Sequence, residues 1–163
     1  MIARLRGQQG FALIEMLVAI VVINVALLAI LLALNSGMVT LRRSAETSTA
    51  SAVADQQLER FRARVFSAIY LDTTSLAATD STYQSDSAYS ASQVSQTCSP
   101  LVAACTPSQT VTGPNGRSYR VDTYVVSVTP TGGQAVKQIT VVVRKPGNPA
   151  TLARVVSTAG LDF

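Results

Sequence analysis

Glu15 is the residue whose type and position most clearly require a chemical partner. It lies in the run Phe11–Leu34, where the only other strongly polar side chain is Asn24. An unpaired carboxylate at the centre of a membrane span costs about 2.5–3.5 kcal/mol. A cut between Gly10 and Phe11 would create a cationic amine one helical turn away, which the carboxylate of its own or a neighbouring chain could pair with. The spacing fits equally a glutamate tolerated near lipid headgroups, and these two interpretations stay open.

Cys98 and Cys105 are the two cysteines of the chain, and they stand close together in a polar, Ser-rich stretch. In an exported domain such a pair predicts a disulfide that closes a short loop, whereas a reducing compartment would leave two free thiols. Two cysteines cannot complete a four-coordinate zinc site, and the chain contains no histidine. We therefore expect a disulfide and no metal.

The residues needed for most enzyme mechanisms are missing from the sequence. Without histidine a Ser-His-Asp arrangement cannot form, and the commonest general base is absent. The acids beyond the apolar run include no pair whose spacing suggests a catalytic dyad; they are Glu46, Asp55, Glu59, Asp72, Asp80, Asp86, Asp122 and Asp162. The net charge of +4 is compatible with DNA or anionic lipid but requires neither, so DNA is a weakly supported partner. We expect no enzyme and no cofactor.

The element that must position Glu15 is an apolar helix long enough to cross a membrane. Phe11–Leu34 would span roughly 36 Å as a helix, and a bilayer core needs about 30 Å. Arg4 and Arg6 precede it without an acid, which favours a cytoplasmic N-terminus, although Arg42 and Arg43 after the run weaken that argument. An ordinary secretory signal peptide fits less well, because its apolar region is shorter and ends at a small-residue cleavage site.

The stretch Gly10-Phe11-Ala12-Leu13-Ile14-Glu15, with its short basic leader and the apolar run after it, resembles the signal of type IV prepilins and type II secretion pseudopilins. The resemblance covers about residues 1–40. It implies that a prepilin peptidase cuts after Gly10 and N-methylates Phe11, and that Glu15 neutralises the methylated N-terminus of a neighbouring subunit. It also implies other pilin or pseudopilin subunits and an inner-membrane assembly platform as partners, with membrane lipid before assembly and a periplasmic or extracellular filament afterwards.

One departure from the pattern of many major pilins is the absence of proline before Pro100; Leu32 stands where they carry one. The membrane helix should therefore lack a proline-induced break. Together with Ala12, this feature resembles minor pilins and I-type pseudopilins.

The remaining sequence predicts an α+β fold in which one long helix, from about Phe11 to Tyr70, packs on a small antiparallel sheet. Gly37 and the Ser/Thr-rich residues 44–51 predict that this helix is broken or kinked. Apolar residues at three- and four-residue steps predict the packed side of the helix; they are Val53, Ala54, Leu58, Phe61, Val65 and Ile69. Residues 72–117 are rich in Ser and Thr and predict a long loop, in which the roles of Tyr83 and Tyr89 stay open. Three β-branched runs joined by Pro/Gly turns predict strands at Ser118–Val128, Val136–Arg144 and Leu152–Ser157.

These elements predict four segments and two function classes. The segments are a leader at 1–10, a transmembrane helix at 11–35, an amphipathic helical extension at 36–71 and a head at 72–163. The favoured class is a structural subunit of a pilus, a secretion pseudopilus or a competence filament. The alternative is a single-pass membrane protein with an adhesive or receptor-like exported domain that never assembles.

Overall fold

The computed structural model describes residues 9–75, 80–98 and 102–160. The chain forms two compact units, Met1–Ser44 and Ala45–Phe163. Helix α1 spans Gln9–Arg62, and the predicted break at Gly37 or at the Ser/Thr-rich residues 44–51 does not interrupt its helical assignment. The predicted leader falls almost entirely on residues 1–8, which lie outside the described part of the chain.

The second unit contains a four-stranded antiparallel sheet in the order β1-β2-β3-β4. Its strands are β1 (Ser108–Thr112), β2 (Ser118–Val128), β3 (Val136–Arg144) and β4 (Thr151–Ala159). The Pro/Gly segments predicted as turns lie between these strands, and Gly116 adopts φ +71°, a conformation that glycine reaches without strain. The predicted α+β class and the predicted strands β2, β3 and β4 are confirmed.

The core of this unit forms between the C-terminal part of α1 and one side of the sheet. Ala50, Val53, Ala54, Leu58 and Phe61 supply the helix side, at the three- and four-residue steps that keep side chains on one side of a helix. The sheet side consists of alternate residues of the strands, namely Tyr119, Val121, Val125, Ile139, Val141, Val143 and Ala153. Buried apolar area of this kind is the main stabilising contribution to a small domain.

The predicted end of the long helix at Tyr70 is wrong, because α1 ends at Arg62. Val65 is extended and its side chain is 65% exposed, so it does not belong to the packed side as predicted. After a short 3-10 turn at Phe66–Ala68, Ile69 and Leu71 enter the core from non-helical backbone, and Leu71 pairs with Ser95. These tertiary contacts outweigh the local helical periodicity.

The prediction of an irregular loop throughout residues 72–117 is also wrong in part. β1 forms within it, and a single helical turn, α2 (Ser81–Gln84), precedes it. β1 carries one large apolar residue, Val111, so its sequence has little alternation of apolar and polar side chains to indicate a strand. The strand exists because its backbone pairs with β2 from Ser108 to Thr112.

Candidate functional site: the exposed side of α1 around Glu15

Glu15 lies in the N-terminal part of α1, where every side chain described from Leu13 to Ser44 is exposed. The backbone is already helical at Gln9, so positions 11 and 15 are about one turn apart along α1. Of the described basic groups, none lies within ion-pair distance of the Glu15 carboxylate. Among the described residues, Glu15 is therefore an exposed carboxylate in the apolar part of α1 with no basic group beside it.

Asn24, the other polar residue of the apolar run, satisfies its own hydrogen-bonding need. Its side-chain amide donates to the carbonyl oxygen of Ile20 at 2.8 Å, one turn earlier in α1. Thr40 makes the same kind of bond to the carbonyl of Ser36 at 3.0 Å. Backbone acceptors of this kind lower the cost of a polar side chain in a membrane helix. Glu15, an acceptor, cannot be satisfied in the same way by carbonyl groups.

The side of α1 that carries Glu15 contains only small side chains, a feature that the sequence analysis missed. At 3.6 residues per turn, the residues between Glu15 and Thr40 that fall within about 40° of Glu15 are no larger than valine. They are Ala19, Val22, Ala26, Ala29, Ala33 and Gly37. The opposite side carries large residues, among them Leu17, Leu28 and Leu31. The signal was present in the recurrence of alanine at three-, four- and seven-residue intervals.

Cys98 and Cys105 form the predicted disulfide. The loop that it closes is tied to α1, because Gln57 donates to the carbonyl of Ala103 at 3.3 Å and accepts from Gln109 at 3.0 Å. Its other end is held by Asp72, whose carboxylate accepts from the amide of Cys98 at 3.0 Å. These hydrogen bonds therefore hold the disulfide-closed loop to Gln57 of α1 and to Asp72.

A buried charge cluster in the head was not predicted from the sequence. Asp122 is fully buried in β2 and accepts hydrogen bonds from Ser108, Arg120 and Arg144. Asp80 and Asp86, far from Asp122 in sequence, bind the outer ends of the same arginines, and Arg154 also binds Asp86. Every carboxylate of this cluster is paired with guanidinium groups, which favours a structural role over general acid or base catalysis.

α1 is the one helix of the described chain that is long and apolar enough to cross a membrane. The family model described as the prokaryotic N-terminal methylation motif matches residues 5–33, a stretch that includes Gly10, Phe11 and Glu15. No curated protein and no solved structure was found to match the chain. The motif is of the prepilin type, and with the long apolar helix it is consistent with a membrane-anchored type IV pilin-like protein.

Proposed function

We propose that this chain is the precursor of a structural subunit of a type IV pilus or pilus-like filament and that it is not an enzyme. The proposal rests on the position of Glu15. Its carboxylate has no described counter-charge, and it lies in the apolar part of α1, within the stretch that matches the methylation motif. In the proposed route a prepilin peptidase cuts after Gly10 and methylates the amine of Phe11. The new cation then pairs with Glu15 of a neighbouring subunit and offsets the cost of a lone carboxylate in an apolar environment.

The small residues around Glu15 support this route. Alanine and glycine on one side of a membrane helix let a second helix approach closely, so van der Waals contacts can hold the pair together where the hydrophobic effect cannot. In this proposal that side meets neighbouring subunits, while the leucine-rich side faces lipid before assembly. The leader arginines Arg4 and Arg6 favour a cytoplasmic N-terminus at that stage.

The partners that follow from the proposal are prepilin peptidase, other pilin or pseudopilin subunits, an inner-membrane assembly platform and membrane lipid. Nothing described in the head favours an additional ligand such as DNA.

The processing step is tested by the intact mass and N-terminal sequence of the protein extracted from bacterial membranes. A chain that begins with N-methylated Phe11 is expected. A chain that retains Met1 would favour the non-assembling membrane protein instead, and a chain that begins near residue 36 would indicate an ordinary secretory signal peptide.

The assembly step is tested with Glu15→Gln, which keeps the shape of the side chain and removes its charge. The variant should insert into the membrane normally, whereas its content in sheared filaments should fall by about tenfold or more, because an ion pair in a low-dielectric medium is lost. Asn24→Ala is the matched control, since it removes a polar group from the opposite side of the same helix. Normal filament content in Glu15→Gln would rule out the pairing of Glu15 with a neighbouring N-terminus.

A further inference from the structure

The segment Asp80–Tyr89, here named the strap, covers the side of the sheet that faces away from α1. Tyr83 and Ala88 of the strap pack on Tyr124 and Val142 of the sheet and form a small apolar cluster separate from the main core. The rings of Tyr83 and Tyr124 stack with their centroids 4.4 Å apart. The strap therefore buries Tyr83 against Tyr124, and this apolar contact is separate from the core around α1.

Charged groups supply most of the other described contacts between the strap and the sheet. Asp80 accepts two hydrogen bonds from Arg120, at 2.9 and 2.8 Å. Asp86 accepts two from Arg154, at 2.9 and 2.8 Å, and a further one from Arg144. Beneath the strap, Arg120 and Arg144 also bind Asp122. The contacts thus form an alternating row of carboxylates and guanidinium groups, in the order Asp80, Arg120, Asp122, Arg144, Asp86 and Arg154.

The backbone of the strap is hydrogen-bonded to itself. The backbone–backbone bonds described for it join Gln84 to Asp80, Ser85 to Ser81, Asp86 to Tyr83 and Tyr89 to Asp86. Its link to the backbone of the sheet is made by side chains, since the Tyr124 hydroxyl donates to the carbonyl of Tyr83 and the Tyr83 hydroxyl lies 2.7 Å from the carbonyl of Thr123. The strap can leave the sheet without breaking a strand–strand ladder.

The chain on either side of the strap is held in place by contacts of its own, made by Leu71 before the strap and by Val94 after it. Before it, Leu71 lies in the main core and its amide donates to the carbonyl of Val94 at 3.0 Å. After it, Val94 packs on the main core and its amide donates to the carbonyl of Val125 at 2.8 Å. Ser95 pairs with Leu71, so the two anchors are joined to each other. Release of the strap therefore leaves the ends of the loop in place.

We propose that the strap is a detachable element, fastened to the sheet by charge, that opens at acid pH while the core between α1 and the sheet stays folded. Opening would uncover the stacked tyrosine Tyr124, Val142 and the guanidinium groups of the sheet. This inference is independent of filament assembly.

The titration of the strap acids supports the direction of this pH dependence. Burial by itself raises the pKa of Asp80, but the amide of Tyr83 and the guanidinium of Arg120 outweigh burial and hold the pKa below its usual value. For Asp86 burial is likewise outweighed, here by the amide of Ala88 and by Arg154 and Arg144, so its pKa is also lowered. A carboxylate with a lowered pKa stabilises the closed state fully above its unfolded pKa, near 4, and this contribution is lost as the pH falls below that value.

The test is hydrogen–deuterium exchange of the full-length protein in detergent micelles, read out on peptides. In the double variant Asp80→Asn, Asp86→Asn, exchange in 80–89 should accelerate by about tenfold or more, while exchange in β2 and β3 should stay unchanged. Asparagine keeps the side-chain oxygens that accept from the amides of Tyr83 and Ala88, so the substitution removes charge and leaves local capping intact. Asp55→Asn, which neutralises an exposed acid on α1, is the control.

The wild-type protein supplies a second measurement that does not depend on variants. After correction for the intrinsic exchange rate, protection of 80–89 should be constant from about pH 7 to about pH 5 and should fall as the pH is lowered below about 4, and β3 should remain protected. Equal loss of protection in the strap and in β3, by acid or by the double substitution, would overturn the proposal. Unchanged hydrogen-exchange protection of the strap in both measurements would also overturn it.

Discussion

Asp122 and Thr123 are neighbours in β2, and both are fully buried, yet the two polar side chains are accommodated very differently. The Asp122 carboxylate points to the outer side of the sheet, where Ser108, Arg120 and Arg144 donate to it. Thr123 points to the core side, and its hydroxyl is a buried side-chain oxygen with no hydrogen-bond partner among the described residues. The buried charge of Asp122 is thus compensated by hydrogen-bond donors, whereas the buried neutral hydroxyl of Thr123 has no described partner and should cost stability.

Replacing this hydroxyl should therefore stabilise the head. Thr123→Val keeps the β-branched shape and removes a group that is buried without a partner, so the free energy of unfolding should rise by about 1 kcal/mol. The measurement is urea unfolding followed by circular dichroism. Thr110→Val makes the same change at an exposed position of β1 and should be nearly neutral. A loss of stability in Thr123→Val would mean that the hydroxyl is satisfied.

At the scale of elements, a lysine of β3 holds the segment that follows α1. Lys137 of β3 is buried, and its ammonium donates to the carbonyls of Phe66 and Ile69, both at 2.7 Å, while it lies 4.6 Å from the centre of the Phe66 ring. Burial lowers the pKa of Lys137. These two bonds satisfy carbonyls that a longer helix would have bonded internally, and they hold the non-helical segment after Arg62 against the sheet.

Removing this ammonium should destabilise the segment after α1. Lys137→Met keeps most of the side-chain volume and removes the ammonium that bonds the carbonyls of Phe66 and Ile69, so we expect a loss of about 2 kcal/mol in the free energy of unfolding. Lys145→Met is the control, because Lys145 is 45% exposed and pairs with Glu46 on the surface, an interaction worth at most about 1 kcal/mol. Equal effects of the two substitutions would contradict the role assigned to Lys137.

At the scale of the whole molecule, the two units differ in how their apolar residues are used. In Ala45–Phe163 the large apolar side chains form a core, whereas in Met1–Ser44 those that are described are all exposed. Contiguous apolar surface of this extent is not left open to water by a soluble protein. The first unit is therefore suited to lipid or to other apolar helices, and the second can fold around its own core.

The proposal that the small-residue side of α1 contacts other subunits can be tested by enlarging one of its side chains. Ala33 lies about five complete turns after Glu15 and so on the same side of the helix. Ala33→Leu should leave membrane insertion intact and lower the content of sheared filaments by about tenfold, because the added bulk prevents close helix approach. Leu28→Phe adds bulk on the opposite side and should have a much smaller effect. Equal filament content in both variants would show that the small residues do not form the contact.

The sequence by itself determined the features whose cause is local. A long apolar run, the Gly10-Phe11 and Glu15 spacing, and β-branched strands separated by Pro/Gly turns are properties of neighbouring residues, so they could be predicted. The tertiary structure decided the features whose cause lies far away in the chain. Lys137 and Ser95 contact the segment after Arg62 that periodicity predicted to be helical as far as Tyr70, and pairing with β2 makes a strand of β1. Arg120 and Arg144 join Asp80, Asp86 and Asp122 in one cluster. Such contacts join residues that are distant in sequence, and no local pattern records them.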